Sequence, residues 1–223
     1  MVQSTAIIVE AKTMSNLEFR QIQLNLNAAV GPLNDVRRMR IMDAVGEGFN
    51  PQPVPIAGAI ALVNPLSREA LFLNENQLQY TCDGMPAQFS PSRVESLLAA
   101  VRDTLLLEDR FPMVLQVIAH IDANGSAFER TVEAFTPIPP TTLRGYFPGL
   151  RGLGLRITFE ETPYICDLRI EPLFSDPAFF FVQFNAGSQQ TAQSLAAILD
   201  DTTHWLNRLQ GEMNDVIQEI LGA

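Results

Sequence analysis

The chain has 223 residues, 47% of them apolar and 18% charged, enough to bury a core without disulfides or a structural metal. Its 15 Lys and Arg against 25 Asp and Glu leave a net charge of -10, which would repel a phosphate backbone and argues against a nucleic-acid partner. Lys12 is its only lysine, an imbalance that reads as genome composition and not as function.

The two cysteines, Cys82 and Cys166, fall in strand-like stretches without a CxxC pair, so buried reduced thiols are expected. The N-terminus has no basic start followed by a long apolar run, and nowhere do eighteen apolar residues follow one another. A soluble cytoplasmic protein without a membrane partner is the expectation. In that setting the glycosylation-like Asn124-Gly125-Ser126 is simply a turn.

In chain order, Ala6 to Ala11 has strand composition. Met14 to Leu26 reads as strand in its second half, where Ile22, Leu24 and Leu26 alternate with Gln21, Gln23 and Asn25. Arg37 to Val45 is a further strand candidate, and Gly46 to Pro55 a loop. Strands follow at Ile56 to Val63, Glu69 to Leu73 and Gln77 to Cys82, with turns at Asn64-Pro65 and around Glu75. Leu78, Tyr80 and Cys82 mark the buried side of the last. A helix runs from Pro91 to about Glu108 behind Ser90, burying Val94, Leu97, Leu98, Val101 and Leu105.

The second half repeats this plan. Met113 to Asp122 is a strand, and Asn124-Gly125 signals a hairpin returning through Phe128 to Phe135. Thr136 to Gly154 is a Pro/Gly-rich loop too long for a simple turn. Strands at Leu155 to Glu160, Tyr164 to Glu171 and Ala178 to Asn185 come next. From Thr191 to Leu221 one long amphipathic helix is expected, its seam formed by Leu195, Leu199, Thr202, Leu206, Leu209, Met213, Val216 and Ile220. At about 1.5 Å per residue it would run roughly 45 Å, longer than one small sheet usually covers.

The expected fold is therefore α+β: two antiparallel β-meanders, 1–110 and 111–223, each followed by a helix, interlocked so that helices cover a curved sheet. Points of contact with one known family are Gln77-Leu-Gln-Tyr-Thr-Cys82, the helix after Phe89, Val117 to Asp122, Tyr146-Phe-Pro-Gly-Leu150, Asp167 to Glu171, Phe179 to Asn185 and the closing helix. In the order of these elements the chain resembles a sporadically distributed bacterial family of about this length. Of that family's strand with Gly-Leu-Arg before an aromatic residue, Gly154-Leu155-Arg156 is present, followed by Ile157. The resemblance implies the fold and carries no activity with it.

Chemistry-bearing motifs are scarce. There is no Gly-x-Ser-x-Gly elbow, P-loop or HExxH, and no catalytic residue is assigned. Gly149, Gly152 and Gly154 precede a strand instead of opening a helix, so their amides are not aimed at a phosphate. His120 and Asp122 supply at most two ligands where zinc needs three or four, and neither metal nor cofactor is expected. His204 lies off the helical seam. Arg156 and Arg169 read first as cross-strand ion-pair partners of Glu160, Asp167 and Glu171.

Three functions are compatible with this reading. The first is a non-enzymatic binding or assembly protein that self-associates or binds a protein partner through Leu206, Leu209, Met213, Val216 and Ile220. The second is an enzyme or ligand carrier with a pocket under the 136–154 loop, using His120, Arg144, Tyr146, Arg151 and Arg156, with Phe147 beside Tyr146 as its apolar wall. The third is an acidic accessory or immunity-type protein that binds a basic partner.

Overall fold

The computed structural model describes residues 16–84, 89–188 and 191–222, and the strand expected at Ala6 to Ala11 lies outside them. The first half holds β1 (Glu18–Asn27), α1 (Asp35–Val45), β2 (Asn50–Gln52), β3 (Ile60–Asn64), β4 (Glu69–Asn74), β5 (Gln77–Asp83) and α2 (Pro91–Leu105). The second holds β6 (Met113–Asp122), α3 (Ala127–Phe135), α4 (Pro140–Tyr146), β7 (Leu155–Glu161), β8 (Tyr164–Pro172), β9 (Phe179–Gly187), α5 (Leu195–Gln210) and α6 (Glu212–Ile220).

The nine strands form one sheet in the order β2-β3-β4-β5-β1-β6-β9-β8-β7, with every pairing antiparallel. In each half the first strand joins the last strand of its own set, β1 to β5 and β6 to β9. The β1–β6 pairing joins the two sets of strands into one sheet, and α2 packs against α5. The sheet thus places β5, β4, β3 and β2 on one side of the β1–β6 pair and β9, β8 and β7 on the other.

Alternation explains the two faces. On β1, Phe19, Ile22, Leu24 and Leu26 are buried while Gln21, Gln23 and Asn25 are half-exposed. A bulge between Phe19 and Gln21 absorbs the odd spacing, so Phe19 and Ile22 share a face although three positions apart. The inward row continues through Val117, Phe184, Leu168 and Ile157 on β6, β9, β8 and β7. Trp205 of α5 sits on that row, 1% exposed, its ring centroid 5.2 Å from Phe184 and 5.8 Å from Tyr164.

Four expectations are corrected. Arg37 to Val45 is helix, not strand. Asn34 caps α1 by accepting from Arg37 N at 3.0 Å, Asp35 lies in its first turn, and Met39 is 61% exposed where a strand's alternation with Ile41 would bury it. Phe128 to Phe135 is also helix. Ser126 accepts from the amide of Glu129, and the spacing Ala127, Phe128, Thr131, Val132 buries one helical stripe. The 136–154 loop contains α4, and β2 lies within the supposed 46–55 loop.

The C-terminal helix is real but divided. It runs as α5 and α6, joined at Gly211, a residue that forms helix poorly. Beyond the joint the buried stripe moves by one position, so Ile217 is 0% and Leu221 3% exposed while Val216 is 48% exposed. Thr202, the polar residue in the seam, is buried with its hydroxyl donating to Ile198 O at 2.7 Å.

Candidate functional site

The helical seam points inward. Leu206 is 7% exposed, Leu209 1% and Met213 9%, all within the chain's own core, and Ile220 is half-buried. Of the five residues expected to meet a partner, only Val216 is open to solvent.

The sheet offers a different surface. Helices α2 and α5 pack on the inward face, through Arg93 on Glu69 and through Trp205 on Phe159, Tyr164 and Phe184. The opposite face presents amide side chains in cross-strand register. Gln23 stands opposite Thr81 and Gln116, Gln116 opposite Asn185, and Asn185 opposite Asp167. These side chains are half-exposed and linked by hydrogen bonds: Gln116 Nε2 donates to Asn185 Oδ1 at 3.1 Å, and Gln77 Nε2 donates to Asn25 Oδ1 at 2.9 Å.

Charge enters this face at its flanks, and part of it is internally paired. Glu18 meets Arg20 at 2.6 Å, and Asp167 meets Arg156 at 2.8 Å and Arg169 at 3.5 Å. The hydrogen bond from Arg156 holds the Asp167 carboxyl below its ordinary range. Arg156 is therefore engaged on the sheet, as the ion-pair reading expects, and does not reach the 136–154 segment.

His120 also lies on this face, half-buried, with its ring centroid 6.4 Å from Phe179 and 6.5 Å from Phe181. Burial and then the nearby Arg20 charge lower its pKa, against the opposing pull of Glu18 and Asp176. Among the described residues, no group of three or more His, Cys, Asp or Glu converges as a metal site. No helix among them is long and apolar enough to cross a membrane.

A cleft of about 330 Å³ is lined by Ser126, Phe128, Arg144, Leu150, Arg151, Pro172, Leu173, Phe174 and Pro177. The turn after Ser126 starts α3 and brings Phe128 beneath α4. The Arg144 guanidinium then lies over the Phe128 ring, 4.4 Å from its centroid. Arg144 and Arg151 are thus brought together on one cleft. Tyr146, 78% exposed, and Phe147, 59% exposed, do not line it, and neither does His120.

Sequence reasoning missed Ser126, Phe128 and Phe174 as cleft residues. A signal was present for the first two, since Ser126-x-x-Glu129 is a capping box that turns Phe128 from a strand residue into a helical one.

Comparison with known proteins finds no family model that matches this chain and no match among characterised proteins.

Proposed function

We propose that this protein is a non-enzymatic assembly protein that pairs with a second copy of itself through the amide-bearing face of the sheet. The observation that carries the reading is the row Gln23, Gln116, Asn185, uncharged and half-exposed across the adjacent strands β1, β6 and β9 of a chain with net charge -10. Two copies repel each other wherever acidic surface meets acidic surface. An amide both donates and accepts, so a face of amides is complementary to itself.

Size agrees with this use. The eight strands other than the three-residue β2, spaced at about 4.8 Å, span roughly 34 Å, and about six residues of each add about 20 Å in the other direction. The product, roughly 670 Å², approaches the ~800 Å² per partner of a standard stable interface. Val114, 39% exposed, and Ile165, 44% exposed, add apolar contact within the same face.

The test is a pair of arginines at the centre of the face, Gln116→Arg with Gln183→Arg. Both positions are half-exposed, so the fold tolerates them, but in a face-to-face dimer they bring four like charges together. A folded variant of halved molar mass supports the reading; a variant that keeps the mass of the parent removes it.

A further inference from the structure

We propose that the cleft between α3, α4 and the loop after β8 binds a small organic anion. Arg144 and Arg151 hold its oxyanion, and its apolar body rests against Phe128, Leu150 and Phe174. The inference is independent of dimer formation, because it uses no residue of the sheet's amide face.

Charge is the first argument. Arg20, Arg93, Arg102, Arg156, Arg169 and Arg208 all meet acidic partners within the chain. Arg144 and Arg151 make no ion pair among the described residues; Arg37, Arg38, Arg40, Arg68, Arg110 and Arg130 make none either, but Arg144 and Arg151 line one cavity together. Two uncompensated guanidiniums on one concave surface of an acidic chain form a local positive site, where the surrounding charge favours the opposite. Asp176, beside the cleft residue Pro177, is turned to its own loop, where its Oδ1 accepts from Ala178 N at 3.1 Å.

Geometry is the second. Stacking over Phe128 fixes Arg144 without using its N–H donors, so its fork remains available for a carboxylate or phosphate. Phe128 is 5% exposed and held from behind by Val132 and Leu143, which makes the wall rigid. Phe174 is 64% exposed at the cleft, a large apolar surface that a ligand body would cover. At about 330 Å³ the space lies at the small end of ligand pockets and suits one ring bearing one anionic group.

The experiment is calorimetric titration of the full chain with phenyl phosphate, benzoate and, as the neutral counterpart, benzyl alcohol. At least one anion should saturate the protein, with benzyl alcohol about ten-fold weaker or worse. Tighter phenyl phosphate assigns the oxyanion as phosphate, and tighter benzoate as carboxylate. Arg144→Gln and Arg151→Gln should each weaken the anion by about ten-fold, while Trp205 fluorescence reports an unchanged fold. Saturation by neither anion, equal binding of benzyl alcohol, or anion binding unchanged in both arginine variants would overturn the proposal.

Discussion

Arg93 on α2 reaches across to Glu69 on β4, closing a 2.6 Å ion pair on a carboxylate that is only 1% exposed. Tyr80 completes the site by donating to Glu69 Oε1 at 3.0 Å. The pair ties α2 to the strand beneath it, and its asymmetry decides its energetics: the acid is buried, while Arg93 is 52% exposed.

Arg93→Met should therefore destabilise more than Glu69→Gln. The first leaves a buried carboxylate without its cation, a loss of about 2–4 kcal/mol, reduced from the fully buried case because water reaches the arginine side. The second leaves a half-solvated arginine and should cost about 1 kcal/mol. Urea denaturation of both variants measures the difference, and equal losses would contradict it.

The same site sets an acid dependence. Burial raises the Glu69 pKa, but the hydrogen bonds and charge of Arg93 and the hydrogen bond from Tyr80 oppose it, and the folded value lies below 4.5. Unfolded chains then bind the proton more readily than folded ones. The contribution is complete above pH 4.5 and is lost as pH falls through the lower folded value. Denaturation midpoints measured below that pH should fall less steeply in Glu69→Gln than in the parent. Identical slopes would show that Glu69 does not titrate as described.

In α6 the shifted stripe makes neighbouring residues behave differently. Ile217, 0% exposed, should cost about 2–4 kcal/mol on replacement by alanine. Val216, 48% exposed, should cost less than about 0.5 kcal/mol. Trp205, the chain's single tryptophan and buried against three aromatic rings, supplies the fluorescence signal. A Val216 variant as damaging as the Ile217 variant would restore the uninterrupted seam.

His120 should titrate below the ordinary histidine value of 6.5, because burial and the Arg20 charge disfavour its protonated form. Arg20→Gln should move it back upward, and nuclear magnetic resonance of the imidazole protons measures both. A His120 that titrates at 6.5 or above in the parent would contradict the half-buried placement between Phe179 and Phe181.

What could be read from the sequence follows from how each element signals itself. Period two survives in Leu78-x-Tyr80-x-Cys82 and Met113 to Asp122 because one strand face is buried along its whole length. Arg37 to Val45 and Phe128 to Phe135 misled because short helices bury few positions, and Arg38-Met39-Arg40-Ile41 mimics alternation by chance. In both, the capping residue at the start, Asn34 or Ser126, was the better witness.

The seam residues carry a different lesson. A three-four seam states that a helix buries one side without saying whether the cover belongs to the same chain. Leu206 and Leu209 found theirs on the chain's own sheet. Arg144 and Arg151 were visible as candidates because both stand in a Pro/Gly-rich segment, whereas Phe174 joins them only through the fold.

The most direct measurement is the molar mass of the intact chain by light scattering at tens of micromolar. Pairing through the amide face predicts twice 24.7 kDa, reverting to the single-chain value in the folded Gln116→Arg, Gln183→Arg variant. A single-chain mass for the intact protein across that range, with no rise on concentration, would contradict the account.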